Sequence, residues 1–387
     1  MEGETRKAAP HWRWITLAGA SFAVAAALSI VALHPTRLAG SCSTFLMRTE
    51  AATLVGHNLD EGFEVPGALV VNPRGVAKHN VSWDDVKAVL GPSRSEPRLR
   101  WVSKYGSLTT NGMGREFPDG GVNEAGLYVG EMTLLGTKYP DAKVPRFYTS
   151  QWTQYLLDTC ATVEDALASV ATALPDGHCQ WHWFIADRSG RAAVVEFLRG
   201  KTVVHTGTTL PYPIAANDGY QAELDDIRKY RGFGGERDPE PRYPREDPRF
   251  RWAALMLANR DPATPAVDHA FAILERLDLV GSTRWSVVCD LAAPRLYVRT
   301  NRAGSVRWVD LAGLDFSCAA GARLLDIHAD LAGDVSGRFA RATDVSSAEI
   351  VRAFWSAADL GFAGNAMLKP KLIARLTEAP RAFSCAP

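Results

Sequence analysis

Cys42 stands directly behind an apolar leader and heads a strand-like run, Cys42-Ser43-Thr44-Phe45-Leu46-Met47. This junction constrains the fold more than any other feature of the chain. Arg6, Lys7 and Arg13 form a positive start, Trp14 to Leu33 is almost unbroken apolar sequence, and His34-Pro35-Thr36-Arg37 breaks it. Ala39-Gly40-Ser41 then satisfies the small-x-small rule for leader cleavage. A cut after Ser41 leaves a thiol and a free α-amine on one residue, a nucleophile that carries its own base. The fold must then hold its own first residue at the end of a strand. Residues 1–41 read as a signal peptide and 42–387 as one domain, secreted or periplasmic after cleavage. Two alternatives stay open. The apolar run is long enough to span a bilayer, so an uncleaved leader would leave a membrane-anchored protein. Leu38-Ala39-Gly40-Ser41-Cys42 also looks like a shifted lipobox, and lipidation would consume both the thiol and the amine.

Charge adds little. Lys plus Arg and Asp plus Glu both number 43 in 387 residues, so no basic stripe argues for nucleic acid and no acidic tail for a solvating role. Membrane contact is expected only through the leader. Of the six cysteines, Cys160–Cys179 and Cys318–Cys385 are the candidate disulfides of an exported chain.

Short apolar runs at 53–56, 68–71 and 99–102, punctuated by Gly, Pro and Asn, read as strands, as does 126–130. Helical periodicity follows over 150–160 and 163–173, with Thr162 as a cap. Strands return at 181–186, 192–197 and 202–205. The segment 225–249 crowds charges, glycines and prolines and reads as a polar, lid-like excursion. Helices at 251–259 and 266–277, a three-strand meander over 285–311 and helices at 346–357 and 369–376 complete an α+β order.

Taken together, five segments resemble the choloylglycine hydrolase family, the group of bile salt hydrolases and penicillin V acylases. They are Cys42 with Gly56-His57-Asn58-Leu59-Asp60, the turn Gly121-Val122-Asn123-Glu124-Ala125-Gly126-Leu127, the hairpin Trp183-Phe184-Ile185-Ala186-Asp187 through Glu196-Phe197, the strand end Ala215-Ala216-Asn217, and Trp285-Ser286-Val287-Val288-Cys289-Asp290. The resemblance spans most of residues 42 to about 311. It implies a four-layer αββα sandwich of the N-terminal-nucleophile hydrolases. It also implies a hydrolase of linear, non-peptide amides that acts on a small N-acyl compound through an acyl-enzyme, with no cofactor.

Site residues follow by motif position. Cys42 matches the nucleophile and Asp60 the carboxylate that orients the terminal amine by a charge-assisted bond. Asn217 and Asn123 match donors for the oxyanion, although both also stand in good turn sequences. Arg249, in Arg249-Phe250, resembles an arginine that steadies the thiol or a substrate carboxylate, and a solvated helix-start arginine is its ordinary reading. Where many members have Gly-Arg-Asn, this chain has Gly56-His57-Asn58, which makes His57 a thiol or substrate contact only in a protonated or hydrogen-bonding role. His178-Cys179 with His182 looks superficially like a metal cluster, but the alternation around it reads as a strand and no metal is expected. Trp101, Tyr105, Phe117 and Tyr128 are candidate acyl-pocket residues or plain core. An acyltransferase of the penicillin acyltransferase type and a membrane-anchored, non-catalytic relative are the rival functions. Family members form homo-oligomers through a hairpin extension, which does not stand out here.

Overall fold

Several strands are buried along their whole length, and that fact dictates the layering. Thr53–Asp60, Ser107–Asn111, Tyr128–Thr133 and Trp181–Ala186 expose neither face. A strand covered on both sides must lie between two other layers. The computed structural model describes residues 42–87, 98–240, 247–278 and 281–387; the leader and its candidate cleavage site lie outside the described residues.

Two sheets form the middle. The first has seven strands in the order Ile214–Ala215, Ser43–Arg48, Thr53–Asp60, Thr283–Asp290, Arg295–Thr300, Arg307–Asp310 and Gly333–Asp334. The second has nine, running from Lys201–Thr206 through Ala192–Leu198, Trp181–Ala186, Tyr128–Thr133, Gly120–Asn123, Ser107–Asn111, Ala68–Asn72 and Arg323–Asp326 to Ala340–Arg341. Helices Arg249–Ala258 and Ala266–Leu277 lie on the first sheet, and Gln151–Thr159 and Val163–Val170 on the second. The result is the αββα sandwich. Contacts such as Thr44 Oγ1 to Met132 Sδ at 3.2 Å tie the sheets face to face.

Local sequence explains the edges of these elements. Thr162 caps Val163–Val170 in a reciprocal box with Asp165. Gly126 has φ +84°, and a Cβ there would lie 2.4 Å from the Leu291 carbonyl, so only glycine fits. The strand expected at 126–130 therefore begins later, at Tyr128. Gly56 lies under the Phe45 ring, where a Cβ would come within 2.3 Å of Cζ.

The excursion at 225–249 is anchored at both ends. Its start continues the helix Tyr220–Ile227, a bridge joins Tyr230 to Arg237, and its end delivers Asp247 and Arg249 to the interior. Of the candidate disulfides, Cys318–Cys385 is formed. Cys160–Cys179 is not: both sulfurs are free. Cys160 instead lies 3.5 Å from the hydroxyls of Thr159 and Ser169, and Cys179 lies 3.7 Å from His178 Nε2.

Candidate active site

Cys42 is buried at the head of Ser43–Arg48. Antiparallel pairing sets Ser43 opposite Asn58 and Thr44 opposite His57. The register thus places the thiol beside the far end of Thr53–Asp60, whose last residue is Asp60. The strand Ile214–Ala215 flanks Ser43–Arg48 on its other side and ends two residues before Asn217.

Arg249 joins these pieces. Its guanidinium is buried, and Nη1 donates to the Cys42 carbonyl at 3.0 Å and to Ser43 Oγ at 3.3 Å. Nη2 donates to Asn217 Oδ1 at 2.8 Å, and Nη1 lies 3.7 Å from Asp60 Oδ2. Asp247 closes the fork: Nε donates to both of its oxygens at 3.0 Å, and Nη2 makes a further close contact with it. Burial works against the arginine's charge, but the bonds to Asp247 and the charges of Asp247, Asp60 and Cys42 hold its pKa above the usual value. A cation so fixed is a rigid strut between two strand ends.

The strut decides how Asn217 points. With Oδ1 bound to Arg249, the amide nitrogen must face away, and Nδ2 donates to the Thr133 carbonyl at 2.6 Å. An amide nitrogen has two hydrogens, so a second one is left to donate. Behind this turn, His182 Nε2 meets the Ala216 carbonyl at 2.8 Å, which fixes the donor tautomer, and its Nδ1 lies 3.5 Å from Glu196. Glu196 is held near a pKa of about 2: burial opposes this, but His182, His205 and the Tyr220 amide outweigh it.

Asp60 accepts the Thr283 hydroxyl at 2.6 Å. Burial raises its carboxyl to a pKa of about 7, although the Thr283 bond and Arg249 both pull it down. Burial likewise raises the Cys42 thiol well above the usual value, helped by the charges of Glu131 and Asp60, while the Asp60 backbone N–H works the other way. The resting thiol therefore holds its proton and needs a base.

Two expected roles change. Asn123 has no hydrogen left for an oxyanion. Its Nδ2 donates to the carbonyls of Leu157 and Cys160, at 2.9 and 2.8 Å, and its Oδ1 accepts from the amides of Ala125 and Leu127. The side chain ties its own turn to the end of helix Gln151–Thr159. His57 is no cation: burial lowers its pKa to about 4, and Nδ1 shares a 2.7 Å bond with Thr44 Oγ1. It faces the space between the sheets as a neutral polar group and cannot favour the thiolate by charge. Trp101, by contrast, is core, bonded to Asp158 and packed on Phe147 and Tyr155.

Sequence reasoning missed Asp247, Thr283, the Thr133 carbonyl, His182 and Glu131. Glu131 and His182 leave local marks, as a lone carboxyl and a lone imidazole in the buried strands Tyr128–Thr133 and Trp181–Ala186. The others act through tertiary contacts. No cluster of three or more His, Cys, Asp or Glu suited to a metal occurs among the described residues.

The αββα core, with a cysteine buried at a strand end, is the fold of the N-terminal-nucleophile hydrolases. The family of linear amide C–N hydrolases, the choloylglycine hydrolase family, matches residues 42–243. The chain belongs to that family, and it is a hydrolase of carbon–nitrogen bonds in linear, non-peptide amides, of the penicillin V acylase and bile salt hydrolase type. Penicillin V acylase of Pectobacterium atrosepticum is 27% identical over 290 residues, covering 62% of this chain and 77% of that protein. The structure of penicillin V acylase from Agrobacterium tumefaciens superposes with a TM-score of 0.65 at 24% identity, over 78% of this chain and 98% of that one. A conjugated bile acid hydrolase from Clostridium perfringens, in a mutant form, gives 0.55 at 17% identity, over 71% and 94%.

Proposed function

We propose that this chain is an exported cysteine amidase that cleaves a small N-acyl compound through a thioester acyl-enzyme. The reading rests above all on Arg249, which binds the Cys42 backbone, Ser43 and Asn217 at once. After removal of residues 1–41, the Cys42 α-amine takes the thiol proton. Its ordinary pKa of about 8 suits a base at neutral pH. Asp60 holds that amine, and the new ammonium would in turn pull the Asp60 carboxyl down. Sγ then bonds to the acyl carbon. The free Nδ2 hydrogen of Asn217 meets the developing oxyanion, a contact typically worth several kcal/mol. When the tetrahedral intermediate collapses, the C–N bond breaks and the α-ammonium returns its proton to the leaving amine. Water, deprotonated by the same α-amine, attacks the thioester to release the acid and the thiol. The substrate class follows the relatives, named for penicillin V and conjugated bile acids, and export follows the leader.

N-terminal sequencing and intact mass of the secreted protein, with an N-acyl amide panel on it and on Cys42→Ser, test the reading. A chain beginning at Cys42, with turnover abolished in the variant, is expected. An active chain that keeps residues before Cys42 overturns it.

A further inference from the structure

The helices Asp344–Ala357 and Lys369–Glu378 lie beyond the residues that the family match covers, and the fold fastens them down. The Cys318–Cys385 disulfide holds the tail, Ser384–Cys385 pairs with Val76–His79, and Arg115 Nη2 donates to the Pro380 carbonyl at 3.1 Å. Such anchoring presses one face of Asp344–Ala357, with Val351, Phe354 and Trp355, into the protein.

That face meets three loops. The Phe354 ring lies edge-on to Phe63 at 5.6 Å. A Cβ on Gly112 would lie 3.3 Å from Phe354, and one on Gly114 would lie 2.9 Å from Val351. Trp355 sits 6.0 Å from the His178 ring. Each of these loops also leads to the thiol corner. Phe63 is three residues past Asp60. The 112–119 loop ends at Asp119, whose carbonyl accepts the Glu131 amide at 2.9 Å, two residues before Thr133. His178 stands three residues before Trp181, which pairs with Thr133 in the second sheet. Apolar side chains on the first two of these loops, Val65, Met113 and Phe117, are buried. Trp355 is fully buried, yet its Nε1 has no hydrogen-bond partner among the described residues. A buried N–H of this kind calls for an acceptor that the described residues do not supply.

We propose that Phe354 and Trp355 form the far wall of the acyl-binding pocket, and that Phe354 sets the length of the apolar acyl group accepted. The inference rests on the amidase reading for the word acyl, but its test does not need turnover. The probes are straight-chain carboxylates from acetate to dodecanoate, the acid halves of such amides, titrated calorimetrically into the whole protein. Wild-type affinity should rise by about fourfold per methylene until the chain meets the wall, and then stop rising. Phe354→Ala should move that break to longer acids, so that the longest bind at least about tenfold tighter than to wild type while acetate and butanoate are unchanged. If Phe354→Ala does not fold, Phe354→Leu decides, with a smaller shift in the same direction. The same length profile in wild type and variant, or no graded binding of the acids at all, overturns the proposal. Graded acid binding without any amide turnover would leave the wall in place and overturn the amidase reading instead.

Discussion

Asn123 and Asn217 stand in similar sequences, Asn-Glu-Ala-Gly and Asn-Asp-Gly, the first closing a short buried strand and the second standing two residues beyond one. The structure gives them opposite work. Around Asn123 four backbone groups, from 125, 127, 157 and 160, consume the whole amide. Around Asn217 a guanidinium takes the oxygen, one carbonyl takes one hydrogen, and the other hydrogen has no partner among the described residues. A saturated asparagine holds a fold together, whereas one oriented by a fixed cation and left with a donor can serve chemistry. The difference lies in the neighbours that tertiary structure brings, which is why the two turns look alike in sequence.

The comparison can be broken by exchanging effects between the two turns. Asn217→Ala should lower kcat by about 10²- to 10³-fold, because an oxyanion donor acts chiefly in the transition state, and should cost only about 1–2 kcal/mol of stability, since water can reach the half-buried site and replace its bonds to Thr133 and Arg249. Asn123→Ala should do the reverse. It strands the Leu157 and Cys160 carbonyls and costs about 2–4 kcal/mol in denaturant unfolding, with kcat within about threefold of wild type. Equal kinetic losses in the two variants would mean that saturation of the amide does not separate their roles.

A third prediction concerns the buried carboxyls beside the site. Asp119 is raised to a pKa of about 7, chiefly by burial, and Glu61 to about 8. An acid raised on folding binds its proton more tightly in the native state. Its contribution is complete below about pH 4 and is lost as pH rises through about 7. Wild type should therefore lose roughly 2–3 kcal/mol more between pH 5 and 8 than Asp119→Asn does. Parallel melting curves across that range for the two proteins would remove Asp119 from the account.

The smallest effect tests the support behind Asn217. His182→Ala frees the Ala216 carbonyl and should cost about tenfold in kcat with little change in KM. Single-turnover kinetics on a saturating N-acyl amide would show it. A rise in KM at constant kcat would place the histidine in binding instead.

What the sequence revealed, and what it hid, follows the same division. The capped helix after Thr162, the hairpin Trp181–Ala186 with Ala192–Leu198 and the meander after Thr283 were legible because period, cap and turn chemistry are local. So was the turn before Leu127, although its asparagine was misassigned: the Gly126 that marks the motif is required by backbone geometry, and the motif records architecture. Arg249 entered through the family resemblance; local pattern offered only an arginine at a helix start. Its centrality depends on Cys42, more than two hundred residues away in sequence, which no window along the chain can see. Of the two roles the sequence left open for His57, burial removes the charged one and leaves the hydrogen-bonding one. The Cys160–Cys179 pair failed because each sulfur finds its own polar neighbours.

The account turns on where the acyl group resides during catalysis. Acid quenching of the secreted protein within one turnover of a slow N-acyl amide, followed by peptide mass spectrometry, reads this directly. The account predicts the acyl mass on the peptide that begins at Cys42, and its absence from the peptides carrying Cys160, Cys179 and Cys289. An acyl group on any other residue, or unimpaired turnover by Cys42→Ala, would contradict it.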